Sequence, residues 1–146
     1  MERAAEVWEG FLKLWEDFLS RANEHSTVIV VEGERDRRSL QSLGVSGHVV
    51  LVHSGRGMGR LTHTLSRPGQ RVVLLTDWDR EGGHLAHRLA ELLVAEGIRV
   101  DTEFRRKLAR AVHGEVAHVE GLAGWARRSA ERAGAPLDHW LRVSRE

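Results

Sequence analysis

Along residues 2–22, Val7, Trp8, Phe11, Leu12, Trp15, Phe18 and Leu19 fall at i, i+3, i+4 and i+7 spacing, with Glu6, Glu9, Lys13, Glu16 and Asp17 between them. That spacing predicts an amphipathic helix with a wide apolar face. Its aromatic stripe is expected to serve as core or as a dimer contact, since burial of such a face is what stabilises a helix. After "NEHST" the pattern changes to unbroken apolar runs. "VIVVEG" (28–33), "HVVLVH" (48–53) and "RVVLLTD" (71–77) predict buried strands, and "IRVDTEF" (98–104) a fourth. Helical segments separate them. "DRRSLQSLG" has Asp36 placed as N-cap and Gly44 as the stop, "LTHTLSR" follows the glycine-rich "SGRGMGR", and 81–96 stops at Gly97. Pro68 and Gly69 mark a turn. Beyond about residue 105 the pattern weakens: 115–134 reads as a short strand or turn leading into a helix, and 136–146 as another short helix or a frayed end.

Apolar strands alternating with helices predict βαβ units, hence an α/β fold with a parallel sheet covered on both faces. A length of 146 residues suits one domain with a real core, and no internal repeat or low-complexity linker interrupts it. No apolar run is long enough to span a bilayer, and the amphipathic start does not read as a signal peptide, so a cytoplasmic protein without membrane contact is expected. The chain has no cysteine, which excludes disulfides, zinc ribbons and thiol catalysis, and no tyrosine. With 22 basic and 21 acidic residues it is no polycation, so contact with nucleic acid requires a local basic patch. Arginine supplies nearly all the positive charge, only Lys13 and Lys107 being lysine; this suits bidentate phosphate contacts and equally a GC-rich codon bias.

The chemistry concentrates where strands end. In an open parallel α/β sheet, ligands sit outside the carboxyl ends of the strands. Here the first strand ends in Glu32, and the third runs into Asp77 and Asp79, with Glu81 close behind in "LLTDWDREGG". Neighbouring strands lie about 4.8 Å apart, so adjacency of these two would bring the carboxylates together. Asp77 and Asp79, two apart on extended backbone, point to the same side. Unbalanced anions this close repel, and a divalent cation is the simplest remedy. All-oxygen ligation favours Mg²⁺ or Mn²⁺, with the remaining positions left for water and phosphate oxygens. Each acid taken alone has a plainer reading, as a helix cap or the partner of Arg35 or Arg80.

"VVEG" followed by Asp36, and then "LLTDWDREG" one βα interval later, resembles the Toprim domain. That domain is shared by type IA and type II topoisomerases, bacterial primases, overcoming-lysogenization-defect nucleases, recombination mediators and ribosomal-RNA maturases. The form Asp-x-Asp-Arg-Glu-Gly is most similar to type IA topoisomerases. Length and order look most like small stand-alone archaeal and bacterial Toprim proteins of maturase-like or primase-like type. The resemblance implies a Rossmann-like compact domain, a central parallel four-stranded sheet flanked by helices, over 27–122. An N-terminal amphipathic helix (1–26) precedes it and a helical extension (123–146) follows. It implies Glu32 as general acid/base and metal contact, Asp77 and Asp79 as Mg²⁺ ligands, Glu81 as a third acid acting directly or through water, and Gly33 and Gly82 as residues of tight turns.

A topoisomerase needs a tyrosine for its covalent link, so this chain is not one by itself. No Walker-type phosphate loop is present, and no zinc module of the primase kind. "GRGMG" (55–59) reads as a glycine-rich connection, although Arg56 and Arg60 leave the same sheet edge as the acids and, with Arg35 and Arg80, are candidate nucleic-acid contacts. His53, His63, His84 and His87 read as surface residues, and "FRRKLAR" (104–110) as a solvated face or a basic track. The function expected is Mg²⁺-dependent phosphoryl transfer on RNA or DNA, by a nuclease or RNA-processing maturase. The alternatives are a non-catalytic nucleic-acid or partner-binding module and a primase-like nucleotidyl transferase. A homodimer through the N-terminal helix is a further expectation.

Overall fold

In the computed structural model, which describes residues 2–53, 57–67 and 69–145, helix and strand alternate from the start. The order is α1 (Glu2–Ala22), β1 (Thr27–Val31), α2 (Glu34–Ser42), β2 (His48–Leu51), α3 (Gly57–Leu65), β3 (Arg71–Leu74), α4 (Arg80–Ala95), β4 (Arg99–Asp101), α5 (Glu103–Ala111), α6 (Val119–Arg132) and α7 (Leu137–Arg145). The four strands pair in parallel in the order β2-β1-β3-β4, with Val30 opposite both Val50 and Leu74. β1 and β3 are therefore the central neighbours.

Strand alternation divides the core in two. Ile29, Val31, Val73 and Leu75 face a layer built from α1, α2, α5, α6 and α7. Val28, Val30, Val72 and Leu74 face Leu61 and Leu65 of α3 and Leu89 and Leu93 of α4. Cover on both sides explains why these strands are continuous apolar runs.

The aromatic stripe of α1 goes into this core. Trp8, Phe11, Trp15 and Phe18 are all buried. Phe11 meets Trp125 of α6 edge-on at 5.0 Å, and Phe18 stacks on Phe104 of α5 at 3.8 Å. The Trp15 indole N–H donates to the Leu43 carbonyl at 2.7 Å. Segments from both ends of the chain thus share one core with the sheet. Phe104→Ala is expected to lower stability by about 3–5 kcal/mol, the usual cost of truncating a buried aromatic, read as a lower urea midpoint with an unchanged slope.

Element ends differ from expectation for local reasons. α2 starts before Asp36: Gly33 is the N-cap, and the Asp36 carboxylate reaches back to accept the Gly33 N–H at 3.0 Å. Gly44 and Gly97 do stop their helices, at φ 97° and 78°, where side-chain-bearing residues are strained. The fourth strand is shorter than 98–104 because Asp101 accepts the N–H groups of Glu103 and Phe104, at 2.8 and 3.0 Å, and starts α5. "FRRKLAR" is thus mostly helix, with Phe104 and Leu108 buried. No helix among the described residues is long and apolar enough to cross a membrane.

Candidate metal centre

β1 and β3 lie side by side, so the segments leaving them emerge together. Glu32 follows β1, and its Oε2 accepts the Asp77 N–H at 2.8 Å, tying the two strand ends. Beyond β3 the chain bends at Trp78 and Asp79, and Asp79 (φ −79°, ψ 179°) is the N-cap of α4. Asp77 and Asp79 flank Trp78 at this junction, and Trp78 donates its indole N–H to the Val116 carbonyl at 2.7 Å. Asp79 Oδ1 accepts the Gly82 N–H at 2.7 Å, and its Oδ2 lies 3.2 Å from His118 Nε2. Asp77 Oδ1 accepts the Val119 N–H, at the start of α6, at 2.8 Å.

The junction is built tightly. A Cβ on Gly82 would fall 1.8 Å from the Asp77 carbonyl oxygen, so α4 approaches the strand end only because this residue has no side chain. The buried Thr76 hydroxyl donates to the Gly82 carbonyl at 2.7 Å. From α5, Arg105 donates through Nε to the Thr76 carbonyl (3.0 Å) and through Nη2 to the Asp77 carbonyl (2.7 Å). Gly33, by contrast, has open space around its Cβ position and extended backbone (φ −150°), so the first junction does not require glycine.

Among the described residues, Asp77, Asp79 and His118 form the group whose ligand atoms all lie within 4.8 Å of one another. Glu32 and Glu81 stand outside it. Glu32 is engaged with the Asp77 backbone, and Glu81 is exposed on the first turn of α4. Glu81 lies inside α4 and so follows the rotation of a helix. Its place beside the aspartates is taken by His118, the N-cap of α6. Sequence reasoning missed this histidine: the ones it singled out lie elsewhere, His84 and His87 being exposed on α4, with His87 3 residues further on and paired with Glu91 at 2.7 Å. Arg35, Arg60 and Arg80 are exposed, with no hydrogen bond or ion pair to the acids among the described residues. Arg56 lies outside the described residues.

Burial pushes the Asp77 carboxyl up to about 6, and the charges of Asp36 and Glu32 add to the shift; the Val119 N–H and His118 oppose it. Asp36 is also raised, chiefly by burial and then by Glu32 and Glu120. Burial lowers Arg105, helped by Arg106, while Asp77, Asp79 and Glu32 act to keep it charged. Two carboxylates and an imidazole form a donor set that fits a divalent cation: the oxygens suit Mg²⁺ or Mn²⁺, and the nitrogen adds affinity for a transition metal.

A model of the Toprim domain family matches residues 27–110. A UPF0292 protein of Methanosarcina barkeri is 35% identical over 120 residues, 80% of this chain and 83% of its own. One of Methanosarcina acetivorans is 31% identical over 136 residues, covering 91% and 94%. Among solved structures, a putative protein from Aquifex aeolicus aligns with a TM-score of 0.61 and 29% identity, over 73% of this chain and 93% of that one. His118 and α6 lie beyond the residues matched by the domain model.

Proposed function

The chain belongs to the Toprim domain family, and from that membership and the geometry of its acids we propose a divalent-metal-dependent phosphoryl-transfer enzyme acting on nucleic acid, a nuclease or RNA-processing maturase. The observation that carries this reading is the convergence of Asp77, Asp79 and His118 beside Glu32, at the carboxyl ends of two adjacent parallel strands. Mn²⁺ or Mg²⁺ is the cofactor proposed, held by the two aspartates with His118 as a nitrogen ligand.

When bound, such a cation would neutralise charge developing on a phosphate and favour ionisation of water. The chain's own residues supply the rest. Glu32 Oε2 is fixed by the Asp77 N–H, which leaves Oε1 to take a proton from the attacking water or return one to the leaving oxygen. Arg105 fixes the carbonyls of Thr76 and Asp77, so the aspartates leave a rigid base. The chain has no tyrosine, so cleavage proceeds without a tyrosine-linked intermediate.

The test is incubation of the pure protein with end-labelled RNA and DNA in Mg²⁺, Mn²⁺ or chelator. Cleavage is expected with metal, none with chelator, and none by Asp79→Ala. Absence of metal-dependent cleavage, or equal cleavage by Asp79→Ala, sinks the reading. Products extended in the presence of triphosphates would point instead to nucleotidyl transfer.

A pH dependence follows. Asp77 must give up its proton to ligate a cation, and its carboxyl titrates at about 6. Apparent metal affinity is therefore expected to fall as pH drops through that value, by up to about tenfold per pH unit from this proton and more steeply as His118, the nitrogen ligand, also takes one up. Calorimetric titration of Mn²⁺ across this range checks the slope; an affinity flat through pH 6 contradicts it.

A further inference from the structure

Beside the acids the fold builds a second surface that metal binding does not use. Trp78 lies between Asp77 and Asp79 in sequence, and its ring orientation is fixed by the hydrogen bond from its indole to Val116. Part of the ring packs on the core. The remainder lines two adjoining clefts that share Trp78, Ala109 and Arg110. One, of about 440 Å³, runs between α5 and the loop 113–117 that ends next to His118. The other, of about 550 Å³, lies over Arg105 and Arg106.

The cleft over Arg105 and Arg106 carries three arginines against the single acid Glu103, whereas the other has Arg110 with Glu115. Arg106 and Arg110 are exposed one turn apart on α5. Arg110 makes no ion pair among the described residues, and Arg106 has only exposed Glu103, at 3.4 Å. Such an exposed pair contributes little and is easily exchanged for another anion. Three features therefore meet here: an aromatic ring held in one orientation, exposed guanidinium groups within reach of a phosphate, and a place in the chain directly between the two aspartates. An aromatic platform in a positively charged groove is how proteins hold unpaired bases, the ring taking the base and the cations its backbone. A protein partner would be expected to need more apolar surface than the one partly covered ring.

We propose that the cleft over Trp78 is a single-strand subsite, in which an unpaired base next to the reacting phosphate stacks on Trp78 while the following phosphates lie against Arg106 and Arg110. The substrate class is thereby narrowed to single-stranded nucleic acid, or a single-stranded end or loop. A base inside a duplex has no free face to offer the ring. The basic run "FRRKLAR" then acquires distinct roles: Arg105 braces the strand end, and Arg106 and Arg110 meet the strand. The proposal rests on the phosphoryl-transfer reading for its direction, and can be tested apart from it.

A short single-stranded oligonucleotide carrying 5-iodouridine is irradiated with the full-length protein in Ca²⁺, and crosslinked peptides are mapped. The expected crosslink is on Trp78, within the tryptic peptide VVLLTDWDR (72–80). In fluorescence anisotropy, Arg110→Ala is expected to weaken binding several-fold and to reduce the salt dependence by about one counterion. Trp78→Leu is expected to weaken it by about 5- to 100-fold, and Trp78→Phe by much less. Since Trp78→Leu also removes the hydrogen bond to Val116, the wild-type crosslink and Arg110→Ala decide the matter. Crosslinks confined to other peptides, unchanged binding by Arg110→Ala, or equal affinity for duplex each overturn the subsite. Cleavage that persists without a Trp78 crosslink defeats the subsite alone; a crosslink without metal-dependent cleavage defeats the phosphoryl-transfer reading alone.

Discussion

Asp77→Asn is expected to abolish tight divalent-metal binding and to reduce metal-dependent cleavage by at least about 100-fold, beyond the 10- to 100-fold typical of outer-shell partners. The same change should leave the metal-free fold more stable at neutral pH, and the reason is a matter of sign. In the folded chain the Asp77 carboxyl titrates at about 6 instead of 3.8, raised by burial and then by Asp36 and Glu32. The folded state thus holds this proton more tightly than the unfolded state does. Its contribution to stability is fully present below pH 3.8 and is lost as pH rises through about 6. Above that, an ionised Asp77 is a cost that asparagine does not carry, and the asparagine oxygen can still accept the Val119 N–H. Metal-free Asp77→Asn should therefore melt about 3 °C above wild type at neutral pH, equivalent to roughly 1 kcal/mol. The gap should close in acid. A variant that loses cleavage and unfolds would show Asp77 to be structural; one that cleaves as wild type would remove it from the site.

Gly82→Ala is expected to cost on the order of 3 kcal/mol or more and to remove metal binding with it. The added Cβ would lie 1.8 Å from the Asp77 carbonyl oxygen and 2.5 Å from its carbonyl carbon, both backbone atoms that cannot rotate aside. Relief requires α4 to move off the strand end, which breaks the Thr76–Gly82 hydrogen bond and the cap from Asp79. Gly83→Ala is the control. Its Cβ meets only the end of the Arg105 side chain, at 3.6 Å, an ordinary contact. In a helix that exchange should be neutral or stabilising by about 0.5–1 kcal/mol. Thermal melts and Mn²⁺ titrations of the two variants side by side check both; equal behaviour contradicts the close-approach account.

Much of this fold can be read from the chain because its signals are local. The apolar runs around Val28–Val31 and Val72–Leu74 predict buried strands, and the spacing from Val7 to Leu19 predicts α1. Strand order cannot be read that way, because every strand carries the same pattern; adjacency of β1 and β3 had to be seen. The acids divide along the same line. Asp77 and Asp79 stay together in the bend ahead of α4, their ligand atoms within 4.8 Å, whereas Glu81 is carried off once α4 begins. His118 reaches Asp79 across three intervening elements and a loop, and no motif spacing encodes that contact. Its one local signal was its place just before the apolar stripe of α6. Arg105 was hidden in a run of charges, though its neighbours Phe104 and Leu108 mark the buried side of that helix.

The most direct test of the site as a metal centre is pulsed electron paramagnetic resonance of the protein titrated with Mn²⁺. The account predicts saturable binding with a nitrogen coupling from a directly bound imidazole. His118→Gln should lose the coupling while binding Mn²⁺ more weakly, and Asp79→Ala should lose the binding itself. Mn²⁺ that remains free beside stoichiometric protein, or a nitrogen coupling that survives His118→Gln, would contradict it.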